Sequence, residues 1–128
     1  MSIPTAGLHH VTLRVADLDR SAGFYRDVLG FEVQRARDDL ALFTTGDTLF
    51  ALRPPLPGTP EGDRFSEYRV GVDHLAFTVP DREALEAAVA ALRGASVETE
   101  GIETDPVLGK EYVAFRDPDN VQWEFYSA

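Results

Sequence analysis

The sequence predicts an α+β fold in which two βαβββ modules form a curved mixed sheet around a cleft, and three observations predict it. "GLHHVTLRV" at residues 7–15 returns as "GVDHLAFTV" at residues 71–79, placing His10 and His74 64 positions apart in a chain of 128. Each copy leads into a capped amphipathic stretch. Each such stretch is followed by strand-like runs divided by turn residues.

The elements follow in order. Residues 8–15 alternate with period two, so Val11, Leu13 and Val15 share one face and His10, Thr12 and Arg14 the other. Asp17 or Asp19 can cap a helix with the apolar stripe Ala22, Tyr25, Val28 and Leu29, which Gly30 ends. "FEVQRAR", "LALFTT" and "TLFALRP" read as three strands, with turns at Asp38–Asp39 and Gly46–Asp47. In the second half Leu75, Phe77 and Val79 face away from His74, Ala76 and Thr78. Asp81 caps a helix carrying Leu85, Ala88, Val89 and Leu92, ending at Gly94. Strands are expected at "ASVETE", "EYVAFR" and "VQWEFYS", the last two joined by the turn "DPDN", while "GIETDPVLGK" reads as a loop. Asp117 and Asp119 are read as turn formers.

Module one spans about residues 6–54, module two about 71–128, and the Pro- and Gly-rich stretch between them, about 55–70, is a linker. Either module alone is too short for stable independent folding, so the whole chain reads as one domain.

Composition narrows the chemistry. The chain has no cysteine, which excludes a disulfide framework, a thiol nucleophile and thiolate ligands. A formal net charge of −10 opposes binding to nucleic acid or an anionic membrane, and a soluble acidic surface is the simplest account of it. No apolar run reaches membrane-spanning length and no secretory signal is visible, so the expected location is the cytoplasm.

In "VQWEFYS" Trp123 and Phe125 take the apolar side, which turns Gln122, Glu124 and Tyr126 toward the cleft. A glutamate inside a hydrophobic strand is costly unless it is paired or metal-bound. His10, His74 and Glu124 together make a two-histidine, one-carboxylate set that suits one divalent ion with open coordination positions. Fe(II) is favoured, with Mn, Ni, Co or Zn as alternatives. His9, next to His10, should point to the opposite face.

"HHVTLRVADLDRSAGFYRDVLGF", "VDHLAFTV" and "FRDPDNVQWEFY" resemble the vicinal oxygen chelate superfamily, which includes glyoxalase I, extradiol dioxygenases, fosfomycin resistance enzymes and bleomycin resistance proteins. The resemblance covers essentially the whole chain and implies that His10, His74 and Glu124 are its metal ligands. It also implies a small-molecule substrate bound through adjacent oxygens and a homodimer. In some relatives the two modules of one cleft come from different chains. Parity and spacing leave both arrangements open here, and the shared cleft is the favoured one.

Departures from the family narrow the activity. Aligning the turns puts Ala51, or Leu52 after a one-residue slip, opposite Glu124, where glyoxalase I is similar in carrying a fourth ligand. Without that carboxylate the proton shuttle of a glyoxalase-like lyase or isomerase lacks its base. The expected activity is therefore a metal-dependent, dioxygenase-like oxidoreductase. The rival is a bleomycin-resistance-like binding protein that sequesters a cationic planar drug. Tyr112 and Arg14 are the catalytic candidates. Thr12, Arg53, Gln122 and Tyr126 are the substrate-binding candidates.

Overall fold

A computed structural model describes residues 1–128. The first module runs β1 (His10–Arg14), α1 (Leu18–Gly23), a π-helical turn (Phe24–Val28), β2 (Glu32–Arg37), β3 (Leu40–Thr45) and β4 (Thr48–Arg53). The second runs β5 (Leu75–Val79), α2 (Arg82–Gly94), β6 (Ile102–Thr104), β7 (Glu111–Arg116) and β8 (Gln122–Ser127). Two four-stranded mixed sheets result, ordered β1-β4-β3-β2 and β5-β8-β7-β6. In each, the module's first strand lies parallel to its last.

The helix signals act as their chemistry requires. Asp17 accepts the Arg20 amide at the start of α1, and Asp81 accepts that of Ala84 at the start of α2. The first helix differs from a uniform α-helix, because Leu29 donates back to the Phe24 carbonyl, five residues earlier. Such a widened turn re-aims the side chains that follow it. Here it carries Tyr25, which is completely buried.

One expected strand is displaced. Residues 95–100 do not form it. The amides of Ala95, Ser96 and Val97 fold back onto carbonyls of α2, and Ser96 takes a left-handed conformation with φ of 60°. Terminating the helix consumes these residues. The sixth strand begins only after Gly101, inside the stretch expected to be a loop.

The two modules share one core. Val15, Tyr25, Phe43, Phe50 and Leu52 cluster with Leu85, Leu92, Val113, Phe115, Trp123 and Phe125. Phe50 lies 5.4 Å from Trp123 between ring centres, and Phe77 stacks on Trp123 at 4.2 Å. Fully burying such a side chain contributes about 1.5–3 kcal/mol. The apolar face of each sheet thus looks toward the other module, and the histidine-bearing faces turn outward, away from each other. A cleft closed by both faces of one chain does not form.

The "DPDN" turn ties the modules with polar contacts. Asp117 Oδ1 accepts the amides of Asp119 and Val121, as a turn former should. Both carboxylates do more than that. Asp119 accepts from the Ala16 amide, the Ser21 hydroxyl and the Arg20 guanidinium of the first module. Asp117 takes a hydrogen bond from Tyr25.

Candidate functional site

Strand register defines the outward face of the second sheet. Glu124 on β8 sits between Ala76 on β5 and Ala114 on β7. Two alanines beside a carboxylate leave open space over it. Its side chain is only 16% exposed, and burial pushes its pKa up, with His74 opposing and Asp105, Glu103 and Asp73 reinforcing the rise.

His74 lies next to it. Its Nε2 is 3.4 Å from Glu124 Oε1, while its Nδ1 is 2.6 Å from Asp73 Oδ1. When Nδ1–H donates to Asp73, the tautomer leaves the Nε2 lone pair directed toward Glu124. An imidazole held by an outer carboxylate in this way is the arrangement typical of a metal-binding histidine. His74 and Glu124 are therefore a pair whose chemistry fits a divalent ion.

His10 does not join them. No set of three His, Asp or Glu side chains in the single chain is arranged to hold a metal. His10 stands exposed on the outward face of the first sheet, opposite Leu49, because the modules pack back to back. His9 is also not where strand parity puts it. It precedes β1, outside the pleat, and its Nδ1 approaches His10 Nδ1 at 2.9 Å.

The remaining candidates divide between the two sheets. Tyr112 and Tyr126 are register partners on the Glu124 face and stack with ring centres 6.1 Å apart, inclined by 8°. Burial raises both phenol pKa values, that of Tyr126 to about 12, where its hydrogen bond of 2.7 Å to Asp105 adds to the rise. Gln122 is fully engaged: its Oε1 accepts from Arg116 and its Nε2 donates to Asp73. Thr12, Arg14 and Arg53 lie on the His10 face, with Thr12 beside Ala51 and Arg14 beside Arg53. Arg14 donates to the Pro54 carbonyl, and Arg53 pairs loosely with Asp39 at 3.7 Å.

Sequence reasoning missed two groups here. Asp73 precedes His74 directly, and an Asp-His dipeptide at a strand entry was the available signal. Arg116 shares the parity of Tyr112 and Ala114. It binds Glu67 of the linker through both carboxylate oxygens at 2.9 Å, holding that carboxyl at a pKa of about 2. The Glu67 partnership joins residues 49 positions apart and carries no local pattern.

With this geometry in view, residues 7–125 match the Glyoxalase/Bleomycin resistance protein/Dioxygenase superfamily. The chain belongs to that superfamily. It is 36% identical over 126 residues to the uncharacterized protein YwkD of Bacillus subtilis, covering 93% of this chain and 94% of the relative. Identity to the metallothiol transferase FosB of Staphylococcus saprophyticus is 29%, over 94% of this chain and 76% of that protein. A manganese-dependent 2,3-dihydroxybiphenyl 1,2-dioxygenase of Geobacillus genomosp. 3 is 28% identical over 98% of this chain, which spans only 38% of that enzyme. Among solved structures, a glyoxylase/bleomycin resistance protein/dioxygenase domain from Frankia sp. EAN1pec matches with a TM-score of 0.82 and 28% identity. That match covers 98% of this chain and 99% of the other. The α+β architecture of two βαβββ modules is that of the superfamily. No helix is long and apolar enough to cross a membrane.

Proposed function

We propose that this superfamily member is a metal-dependent, dioxygenase-like enzyme acting on a small substrate that presents two adjacent oxygens. The observation that carries the proposal is the Asp73–His74–Glu124 line, in which an oriented imidazole nitrogen and a largely buried carboxylate converge. His74 and Glu124 of one protomer supply two ligands, and His10 of a second protomer supplies the third. The back-to-back packing of the modules supports this homodimeric arrangement, because each outward sheet needs a facing sheet from elsewhere. A divalent ion, Fe(II) in preference to Mn, Ni, Co or Zn, would supply Lewis acidity and, if iron, one-electron chemistry.

The chain's own groups have separable tasks. Tyr112 remains protonated at neutral pH and serves as a proton donor toward the substrate. Tyr126 offers its ring face, since its hydroxyl is donated to Asp105. Gln122, held at both ends, positions Asp73 and thereby His74. Thr12, Arg14 and Arg53 meet the substrate from the opposing sheet.

The adjacent Tyr112 and Tyr126 rings favour one rival, a drug-binding protein that receives a planar cation against them. Metal dependence separates the two. The experiment is metal analysis of protein purified without chelators, then anaerobic Fe(II) loading and an oxygen-uptake screen with catechols. Similarity to a metallothiol transferase makes thiol addition the activity to screen beside it. Stoichiometric metal and uptake support the proposal. Tight binding of a planar cation by a protein that takes up no divalent metal would overturn it.

A further inference from the structure

The outward face of the first sheet is an ordered grid. One row across β1, β4, β3 and β2 reads His10, Leu49, Thr44, Glu32, and the next Thr12, Ala51, Leu42, Arg35. In the third, Arg14 stands opposite Arg53 across β1 and β4, and Leu40 opposite Arg37 across β3 and β2. Four of the chain's twelve Lys and Arg residues therefore share one sheet face, in a protein whose net charge is −10.

This is an unfavourable arrangement on its own. Like charges directly opposite each other on a sheet destabilise it, and Arg14 and Arg53 are direct partners. Asp39 is the carboxylate that pairs with this row. It serves both Arg37, at 3.4 Å, and Arg53, at 3.7 Å. Arg14 binds a neutral carbonyl instead, and Arg35 has no ion pair. Leu40 lies beside Arg37 and Leu42 beside Arg35, so neither arginine has a polar register partner on β3.

We propose that this arginine row is an anion subsite, and that the substrate carries a carboxylate or similar oxyanion at the end remote from its two adjacent oxygens. The inference deepens the metal-site reading and rests on it. The His10 row and the Arg14 row are four residues apart along β1, about 13 Å by strand rise. Arg14 and Arg53, on the strand of His10 and its neighbour, hold the Pro54 carbonyl and Asp39 in the free protein, and exchanging these for an oxyanion by turning back along the strands would leave the length of one ring with a short acidic arm. Planar guanidiniums suit the two oxygens of such a group.

The test uses the wild-type protein loaded with Mn(II). Displacement of water from the ion is followed by proton relaxation with catechol, 3,4-dihydroxyphenylacetate and dopamine as probes. The carboxylate probe is expected to bind at least about tenfold more tightly than catechol, as charge-assisted hydrogen bonds provide. The cationic probe should bind no more tightly than catechol, although the overall charge of the protein attracts it. Arg14→Gln combined with Arg53→Gln, the pair on the strand of His10 and its neighbour, should bring the carboxylate preference toward parity, and Mn(II) affinity is measured in the same samples. Equal affinity of the wild type for catechol and the carboxylate probe overturns the anion subsite while leaving the metal site standing. Dissociation of a wild-type dimer in the double variant, seen by light scattering, assigns the arginines to subunit pairing and overturns it too. Absence of Mn(II) binding by the wild type overturns the metal-site reading first and removes this proposal with it.

Discussion

The Tyr25 hydroxyl donates to Asp117 Oδ2 at 2.5 Å and accepts the Trp123 indole N–H at 2.8 Å, deep in the core. One residue comes from the first module and two from the second. All three are buried. This polar bridge, set among aromatic rings, fixes how the two modules face each other, and so which way their histidines point.

Replacing Tyr25 with Phe should therefore cost stability. The change leaves a buried carboxylate oxygen and an indole N–H without partners, at a cost of about 1–3 kcal/mol. Urea unfolding should show a lower midpoint with an unchanged slope, since the surface exposed on unfolding stays the same. A midpoint equal to that of the wild type would mean the bridge does not hold the modules together.

The same bridge predicts a pH dependence. Burial raises the Asp117 carboxyl above its ordinary value, against the opposing effect of its hydrogen bonds from Tyr25, Val121 and Asp119. The folded state then holds the proton more tightly than the unfolded one. This carboxyl is most favourable to folding below its ordinary value and loses that contribution as pH rises through its raised folded value. Asp117→Asn cannot titrate. Its stability relative to the wild type should improve as pH rises through that window and then stay level. Unfolding curves from pH 3.5 to 8 test this, and a difference independent of pH would contradict the raised value.

The repeated strands, both helix caps and the parity of Glu124 were legible in the sequence because each is a local pattern. The sixth strand was not, because residues 95–97 look extended but are spent closing α2. Nor was the role of Asp117 and Asp119. Their turn chemistry is visible in "DPDN", but their partners Tyr25 and Arg20 lie more than 90 residues away. The direction in which the modules face was hidden for the same reason. It is set by contacts between Phe50, Phe77 and Trp123, which any packing of two amphipathic sheets could have used.

Glu124→Ala should weaken Mn(II) binding by at least about tenfold, as loss of a ligand from a three-ligand site does. His9→Ala should change it far less, since His9 stands beside a ligand candidate rather than acting as one. Calorimetric titration of both variants decides the point. Equal affinity in Glu124→Ala and wild type would remove Glu124 from the site.

Ala51 offers a gain-of-ligand test. It pairs with Thr12, two residues beyond His10, as Glu124 pairs with Ala76, two residues beyond His74. The register thus makes position 51 the counterpart of position 124, and Ala51 is nearly buried. Ala51→Glu buries a carboxylate, which should destabilise the metal-free protein. Mn(II) should restore stability and bind about tenfold more tightly than in the wild type, measured by thermal shift and calorimetry. Unchanged affinity would show that this strand does not face the ion.

The proposed sharing of the site between chains makes the most specific prediction. His10 is exposed on one outward sheet, while His74 and Glu124 converge on the other, and the aromatic core lies between the two sheets. A His10→Ala homodimer then has two sites that keep His74 and Glu124 but lack the third ligand. A Glu124→Ala homodimer has two sites without the carboxylate. When the two variants are mixed and subunits exchange, each heterodimer has one site that lacks two ligands and one that regains all three. Mn(II) titration of the mixture should recover one tight site per heterodimer, about a quarter of the wild-type sites after random exchange. Exchange is confirmed separately by affinity tags of different kinds on the two chains. Complete exchange with no recovered sites would place His10, His74 and Glu124 around an ion within a single chain. That outcome requires the modules to abandon the back-to-back packing held by Tyr25 and Asp117, so Tyr25→Phe should raise Mn(II) affinity under it. If the site is shared, Tyr25→Phe should lower that affinity or leave it unchanged.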